Sequence, residues 1–217
     1  MRRFRFIPWI APEGLLFVLG SIFVAVVVHF VWGICFSWVF IAFAVFITQF
    51  FRDPRRSVVC SDPSLVMSAA DGRIVCITQT EDPYLKRPSI KVSVFMNIFN
   101  VHRNRVPVSG RVCNKWYTPG RFINASLDKS SDSNERCALW LKTEKGLDVV
   151  CVQVAGLVAR RILCYVRPSQ VVQVGQSYGF IRFGSRLDMY LPIESRLLVS
   201  LGDRVKASLT ALCELPE

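Results

Sequence analysis

Two histidines, His29 and His102, are the only imidazoles in the 217 residues. An imidazole is the usual side chain for taking up and returning a proton near neutral pH. His29 lies inside an uncharged apolar run and reads as a neutral residue near a hairpin tip, with an intramembrane functional role as the alternative. His102 is therefore the one imidazole open to a water-facing site, either as an acid/base or as a structural cap of a strand. Gly184-Ser185 and Asp71-Gly72 are turn-like pairs that carry little by themselves. The eight cysteines, Cys35, Cys60, Cys76, Cys113, Cys137, Cys151, Cys164 and Cys213, form no C-x-x-C or C-x-x-H pair. Zinc and iron–sulfur cages thus lack a ligand pattern. The thiols read as small buried residues of a reducing compartment, with four disulfides as the alternative.

These residues need a scaffold, and the chain after Phe51-Arg52-Asp53-Pro54 reads mainly as β. Short β-branched runs at Arg73–Thr78, Ile90–Met96, Leu147–Val154, Arg161–Val166 and Val171–Val174 are punctuated by Gly and Pro. Only Val154–Arg160 has helical potential, weakened by Gly156, and the polar run Ser126–Glu135 reads as a mobile loop. Two stretches, around Gly175 and Gly202, repeat a strand, a glycine turn and a strand. Turns of this kind occur in the flattened barrels that carry lipoyl groups, although the modified lysine of those carriers is missing. The expected fold is a mainly β (α+β) barrel or sandwich over residues 53–217, preceded by a helical anchor over 1–52.

That anchor is the least ordinary part of the composition. Leu15 to Gln49 contains no Asp, Glu, Lys or Arg, and 11 of the 16 Phe fall in residues 1–51. Disorder is excluded by the apolar content, and a purely soluble globule by the uncharged stretch. Residues 53–217 carry 38 charged groups, which excludes a many-span membrane protein. Leu15–Val31 and Ile34–Phe50 are two apolar runs separated by Trp32-Gly33, and at about 1.5 Å per residue each falls just short of a hydrocarbon core. Arg2, Arg3 and Arg5 before them and Arg52, Arg55 and Arg56 after them put both ends on the cytoplasmic side, which favours a hairpin. A single long span, an interfacial pair and a secretory signal are the alternatives. The net charge of +11 points to an anionic partner, and beside an apolar anchor to anionic lipid.

The turn-like pairs gain meaning in company. Phe180–Pro192 (FIRFGSRLDMYLP), Phe95–Gly110 (FMNIFNVHRNRVPVSG) and Ala69–Arg73 (AADGR) together resemble the phosphatidylserine decarboxylase proenzymes, specifically their short branch. Phe51–Pro54, Pro119-Gly120, Asp128-Lys129, Asn134–Arg136 and Val154–Arg161 extend the resemblance over residues 50–192. It implies an enzyme that makes its own cofactor. Ser185 would attack the Gly184 carbonyl, the amide would become an ester, and elimination would free a β chain, 1–184, from an α chain, 185–217. The serine residue at the new terminus would become a covalent pyruvoyl group, which condenses with the substrate amine as a Schiff base and accepts the electrons left by CO2. Neither pyridoxal phosphate nor a metal would be needed. His102 would be the acid/base. Asp71 would orient His102 or assist Ser185, a plain turn residue being the other reading. Where long-branch members have a second histidine, this chain has Arg105, which cannot serve as a base. It would bind the substrate phosphate or carboxylate, or form a surface salt bridge. Asn104, Arg103 and Arg111 are further polar candidates.

The resemblance thus implies phosphatidylserine as substrate and phosphatidylethanolamine as product, at the cytoplasmic face of the cell membrane. The partners would be an anionic membrane and the α/β pair itself, with further oligomerisation open. Another serine-headed lipid is the close alternative. A membrane-anchored binding module that never cleaves itself is the distant one. A nucleic-acid-binding barrel is disfavoured, since clustered aromatic–basic strands are lacking.

Overall fold

The computed structural model describes residues 9–59, 62–120, 134–156, 161–182 and 184–216. Arg2, Arg3, Arg5, Cys60, Asp128-Lys129, most of the polar run 126–135 and residues 157–160 lie outside them. The chain divides into two units, Met1–Arg55 and Arg56–Glu217.

In the first unit, one turn of 3-10 helix (Pro12–Gly14) leads into α1 (Leu15–Trp32), followed by α2 (Ile34–Phe50). Gly33 joins them with φ at 78°, a left-handed angle that glycine adopts without strain. The two ends of the hairpin then meet. Ala11 N–H donates to the Phe51 carbonyl at 2.7 Å, and Asp53 N–H to Trp9 at 2.8 Å. The sequence therefore builds an antiparallel pair and not one long span. Its inner seam uses Val18, Ser21, Ala25 and Val28 of α1 against Ser37, Ala44, Ile47 and Phe50 of α2, the spacing of one helix face. Large side chains such as Phe23, Phe30, Trp32 and Trp38 point outward and are exposed. Serine, alanine and valine along most of the seam, with large apolar side chains outside, are compatible with helices packed in lipid. Pro12–Trp32 is long and apolar enough to cross a membrane. Near the tip, His29 Nδ1 lies 3.4 Å from Ser37 Oγ, tying the two helices together.

The second unit is β, as expected. Its strands are β1 (Leu65–Met67), β2 (Gly72–Glu81), β3 (Pro88–Met96), β4 (Arg103–Arg105), β5 (Gly110–Thr118), β6 (Arg136–Lys142) and β7 (Asp148–Ala155). There follow β8 (Ile162–Cys164), β9 (Val171–Val172), β10 (Ser177–Ile181), β11 (Ser185–Pro192), β12 (Arg196–Leu197), β13 (Arg204–Val205) and β14 (Ala211–Glu214). Eight of them form one curled sheet, a half-barrel, in the order β13-β2-β3-β11-β7-β6-β5-β9. Two three-stranded sheets, β4-β10-β8 and β1-β14-β12, complete the unit. The glycine turns expected at Gly175 and Gly202 are present, with φ of 80° and 92°. Val154 and Ala155, read as the start of a possible helix, instead close β7. Asn134 and Glu135, read as the end of a mobile loop, are buried.

The main core lies on the inner face of the half-barrel. Val92, Val94 and Met96 of β3, Leu187, Met189 and Leu191 of β11, and Val149, Cys151 and Ala155 of β7 all contribute to it. β11 is the middle of this arrangement, paired with β3 on one side and β7 on the other, and all eight of its residues are buried. Its outer face carries Arg186 and Asp188, two residues apart and so on one side of the strand. They form a buried ion pair, with Arg186 Nε 2.8 Å from Asp188 Oδ1.

Candidate active site

Ser185 opens β11 and has no exposed surface. Its partners across the sheet are Met96, the last residue of β3, and Ala155, the last of β7. Strand alternation puts Ser185 on the same side as Leu187 and Met189, inside the half-barrel. Gly184, just before it, has φ at 59°. A Cβ built there meets nothing within 4 Å, so glycine is favoured by the left-handed backbone and not by crowding.

β10 delivers the chain to this point, and His102 stands beside it. Ile181 N–H donates to the His102 carbonyl at 3.3 Å. The imidazole is fully buried, with Nδ1 3.0 Å from the Asn100 carbonyl. A carbonyl can only accept, so Nδ1 bears the hydrogen and Nε2 of the neutral ring holds the lone pair, the form a base requires. The loop that presents His102 is an Asx turn. Asn97 Oδ1 accepts from Phe99 N–H at 2.9 Å, and Asn100 Oδ1 from Asn97 N–H at 2.9 Å.

Asn104 lies on β4 and is also fully buried. Its Nδ2 donates to Met96 Sδ at 3.8 Å, and the Ser185 hydroxyl donates to the same sulfur at 3.9 Å. Gln153 of β7 donates from Nε2 to Asn104 Oδ1 at 2.8 Å. Ser185, Asn104, Met96 and Gln153 therefore converge. Neither Met96 nor Gln153 stands out from residue types alone. The available signal for Gln153 is an amide at an inward position of the apolar run Val149–Val154.

Other candidates sit differently. Both Asp71 oxygens are engaged by Arg56, Nη1 on Oδ1 and Nη2 on Oδ2 at 2.6 Å, and Ala207 N–H donates to Oδ1 at 2.8 Å. The Asp71 carboxylate thus spends its hydrogen bonds on Arg56 and Ala207 and not on the His102 ring. Arg56, counted above among the basic flank of the anchor, has a side chain only 10% exposed. Arg105 is buried and donates from Nη1 to the Gly175 carbonyl at 3.1 Å. Arg103 donates to Tyr165 Oη at 3.1 Å and lies over the rings of Tyr165 and Phe180. Arg111 is exposed on β5.

The cysteines are not uniformly buried. Cys137, Cys151 and Cys213 are, whereas Cys35 is exposed on α2. Cys137 of β6 and Cys164 of β8 affect each other's ionisation. The Cys137 S–H favours the Cys164 thiolate, with the Lys115 ammonium adding to the effect, and holds the Cys164 thiol below its ordinary value against the opposing cost of burial. Cys137, as the donor, is raised. Among the described residues no three His, Cys, Asp or Glu side chains gather as a metal site.

The chain is similar to known proteins over nearly its whole length. The phosphatidylserine decarboxylase family matches the chain over residues 43–213. A protein of Aromatoleum aromaticum named phosphatidylserine decarboxylase proenzyme is 54% identical over 209 residues, covering 96% of this chain and 97% of its own. Proteins of the same name from Nitrosomonas europaea and Burkholderia ambifaria are each 52% identical. They cover 95% and 97% of this chain, and 95% and 98% of their own.

Proposed function

The chain belongs to the phosphatidylserine decarboxylase family, and on that ground we propose that it cleaves itself between Gly184 and Ser185 and then decarboxylates phosphatidylserine to phosphatidylethanolamine. The observation that carries the cleavage step is the placement of Ser185. It is a wholly buried hydroxyl at the head of the central strand, behind a glycine at φ 59° and a chain segment that holds His102.

That placement supports the following chemistry. Ser185 Oγ adds to the Gly184 carbonyl carbon and gives its proton to His102 as base. The peptide C–N bond then breaks, Ser185 N takes up a proton, and an ester replaces the amide. Removal of the Ser185 Cα proton expels the Gly184 carboxylate and frees residues 1–184. The dehydroalanine left at 185 gains water and loses ammonia.

The residues present fit the pyruvoyl group that results. Position 185 is sealed from solvent, and the buried amides of Asn104 and Gln153 converge there with the Met96 thioether. When formed, that group supplies an electron-accepting ketone that takes up the electron pair released with CO2. His102 returns the proton to the product carbon, and burial keeps bulk water away while it does so. Arg105, with five donors in a fixed fork, is the candidate for the lipid phosphate or carboxylate.

The outward-facing apolar side chains of α1 and α2 support a bilayer anchor. The basic excess of the chain supports an anionic cytoplasmic leaflet as its surface. Intact mass of the purified protein tests the reading. Two chains split after Gly184 are expected, the 33-residue one (Ser185–Glu217) with a blocked, ketone-bearing terminus. Ser185→Ala should stay full length and inactive. A single uncleaved species in the folded wild type would rule the proposal out.

A further inference from the structure

Gln153 exchanges no proton in the proposed reaction, yet its surroundings are built for it. Its amide lies in an apolar strand, wholly buried, and Nε2 makes hydrogen bonds to Asn104 Oδ1 at 2.8 Å and to the Leu163 carbonyl at 3.4 Å. Oε1 has no hydrogen-bond partner among the described residues. A buried acceptor left so costs stability that an apolar side chain of the same size would not incur. Room for the amide is made by Gly179 of β10, where a Cβ would fall 2.4 Å from Gln153 Nε2 and 2.7 Å from the Leu163 carbonyl oxygen. The fold thus keeps one position bare to hold an amide that adds nothing obvious to the core.

The polarity of the contacts says what the amide does. Leu163 offers only a carbonyl, so it is the nitrogen of Gln153 that faces it, and that same nitrogen donates to Asn104. Asn104 must therefore turn its oxygen toward Gln153 and its NH2 the other way, toward Met96 Sδ, the atom that Ser185 Oγ also touches. Without the donor at 153 the Asn104 amide could rotate by half a turn and present an acceptor instead.

We infer that Gln153 is a positioning residue that fixes the Asn104 amide with its NH2 toward residue 185, where it donates to the Gly184 carbonyl oxygen as that oxygen becomes anionic. The step rests on the self-cleavage proposed above. As the Oγ–C bond forms, the carbonyl π electrons move to oxygen, and they return when the C–N bond breaks and Ser185 N takes its proton. A preset donor stabilises that charge without reorganising.

The test follows self-cleavage, not decarboxylation. The full-length chain is synthesised into nanodiscs, and the fraction split after Gly184 is followed by intact mass for wild type, Gln153→Leu, Gln153→Glu, Asn104→Ala and the Gln153→Leu/Asn104→Ala double variant. Gln153→Leu should cleave at least tenfold more slowly than wild type. The double variant should be no slower than the worse single, because both act on one donor. Gln153→Glu should be slow at pH 8 and, relative to wild type at each pH, regain rate as the pH falls and its carboxyl group becomes a donor, a response that mere packing would not give. Should Gln153→Leu fail to fold, this acid recovery of Gln153→Glu decides the matter by itself. Wild-type rates in Gln153→Leu, multiplied effects in the double variant, or no acid recovery would overturn the inference while leaving self-cleavage intact. A wild type that never cleaves would remove both.

Discussion

At Gly184 two reasons for a glycine can be told apart, because the backbone angle is left-handed while the space a Cβ would fill is open. Gly184→Ala should therefore fold, at a cost of about 1–2 kcal/mol for an L-residue held in that region. Asn, which tolerates the left-handed region better, should cost less. Denaturant melts of the two variants in an uncleavable Ser185→Ala background would measure this. Equal stability of Ala and Gly at position 184 would mean that the angle is not held before cleavage. Cys164 offers a second residue-level test, independent of the reaction. With its thiol held below the ordinary value by the Cys137 S–H first and Lys115 second, its alkylation should reach half its maximal rate at a lower pH than that of an ordinary thiol. An ordinary thiol would need a pH near 8.5. Cys137→Ala removes the larger stabiliser of the thiolate and should move the profile upward, and Lys115→Ala should move it upward by less. Peptide mapping after timed iodoacetamide pulses reads the profile, and a wild-type midpoint at ordinary thiol pH would discard the pairing.

Among the elements, β11 matters most, since it presents Ser185 and joins the two halves of the large sheet. On its outer face Arg186 and Asp188 are both wholly buried, and Lys91 of β3 lies 3.7 Å from the same carboxylate. Removing one partner of a buried pair costs about 3–5 kcal/mol, because the other charge stays behind in a poor solvent. Asp188→Leu takes the shared carboxylate from both Arg186 and Lys91. It should destabilise more than Arg186→Met, which still leaves Asp188 with Lys91. The double variant should recover much of the loss, since well-packed apolar residues often replace buried pairs at little cost. Urea melts give the order, and an Arg186→Met change worse than Asp188→Leu would contradict it. The same pair explains why β11 was hard to read from sequence. Two charges in four residues of S-R-L-D look like a loop, and their pairing with each other and with Lys91 helps them lie in a sheet buried on both faces. β3, with its β-branched run, and the two apolar helices carry their periodicity openly and were legible. Ser185 and His102 stand out as candidates because their types are scarce or framed by distinctive neighbours. Gln153, by contrast, is one amide among valines, and the Asp71–Arg56 pair joins residues that no local pattern connects.

For the molecule as a whole, the proposed cleavage has a geometric consequence. Residues 185–217 hold β11, β12, β13 and β14, and these strands are dispersed through the second unit. β11 lies between β3 and β7, β13 pairs with β2, and β14 pairs with both β1 and β12. The chain of 33 residues is thus threaded through the large sheet and one of the small ones. Its charge differs as well. It carries four basic and five acidic groups, whereas residues 1–184 retain a net +12 together with the apolar hairpin. Leu187, Met189 and Leu191 of β11 are fully buried, and each contributes on the order of 1.5–3 kcal/mol by leaving water. Those three side chains, with two ladders of backbone hydrogen bonds, are enough to hold the fragment without a covalent link. After maturation the small chain should therefore co-elute with the large one in mild detergent, through repeated dilution and at high salt, and separate only when denaturant unfolds the sheet. Release of the 33-residue chain under native conditions would mean that β11 leaves the sheet on cleavage, and the buried placement of residue 185 could then not persist in the active enzyme.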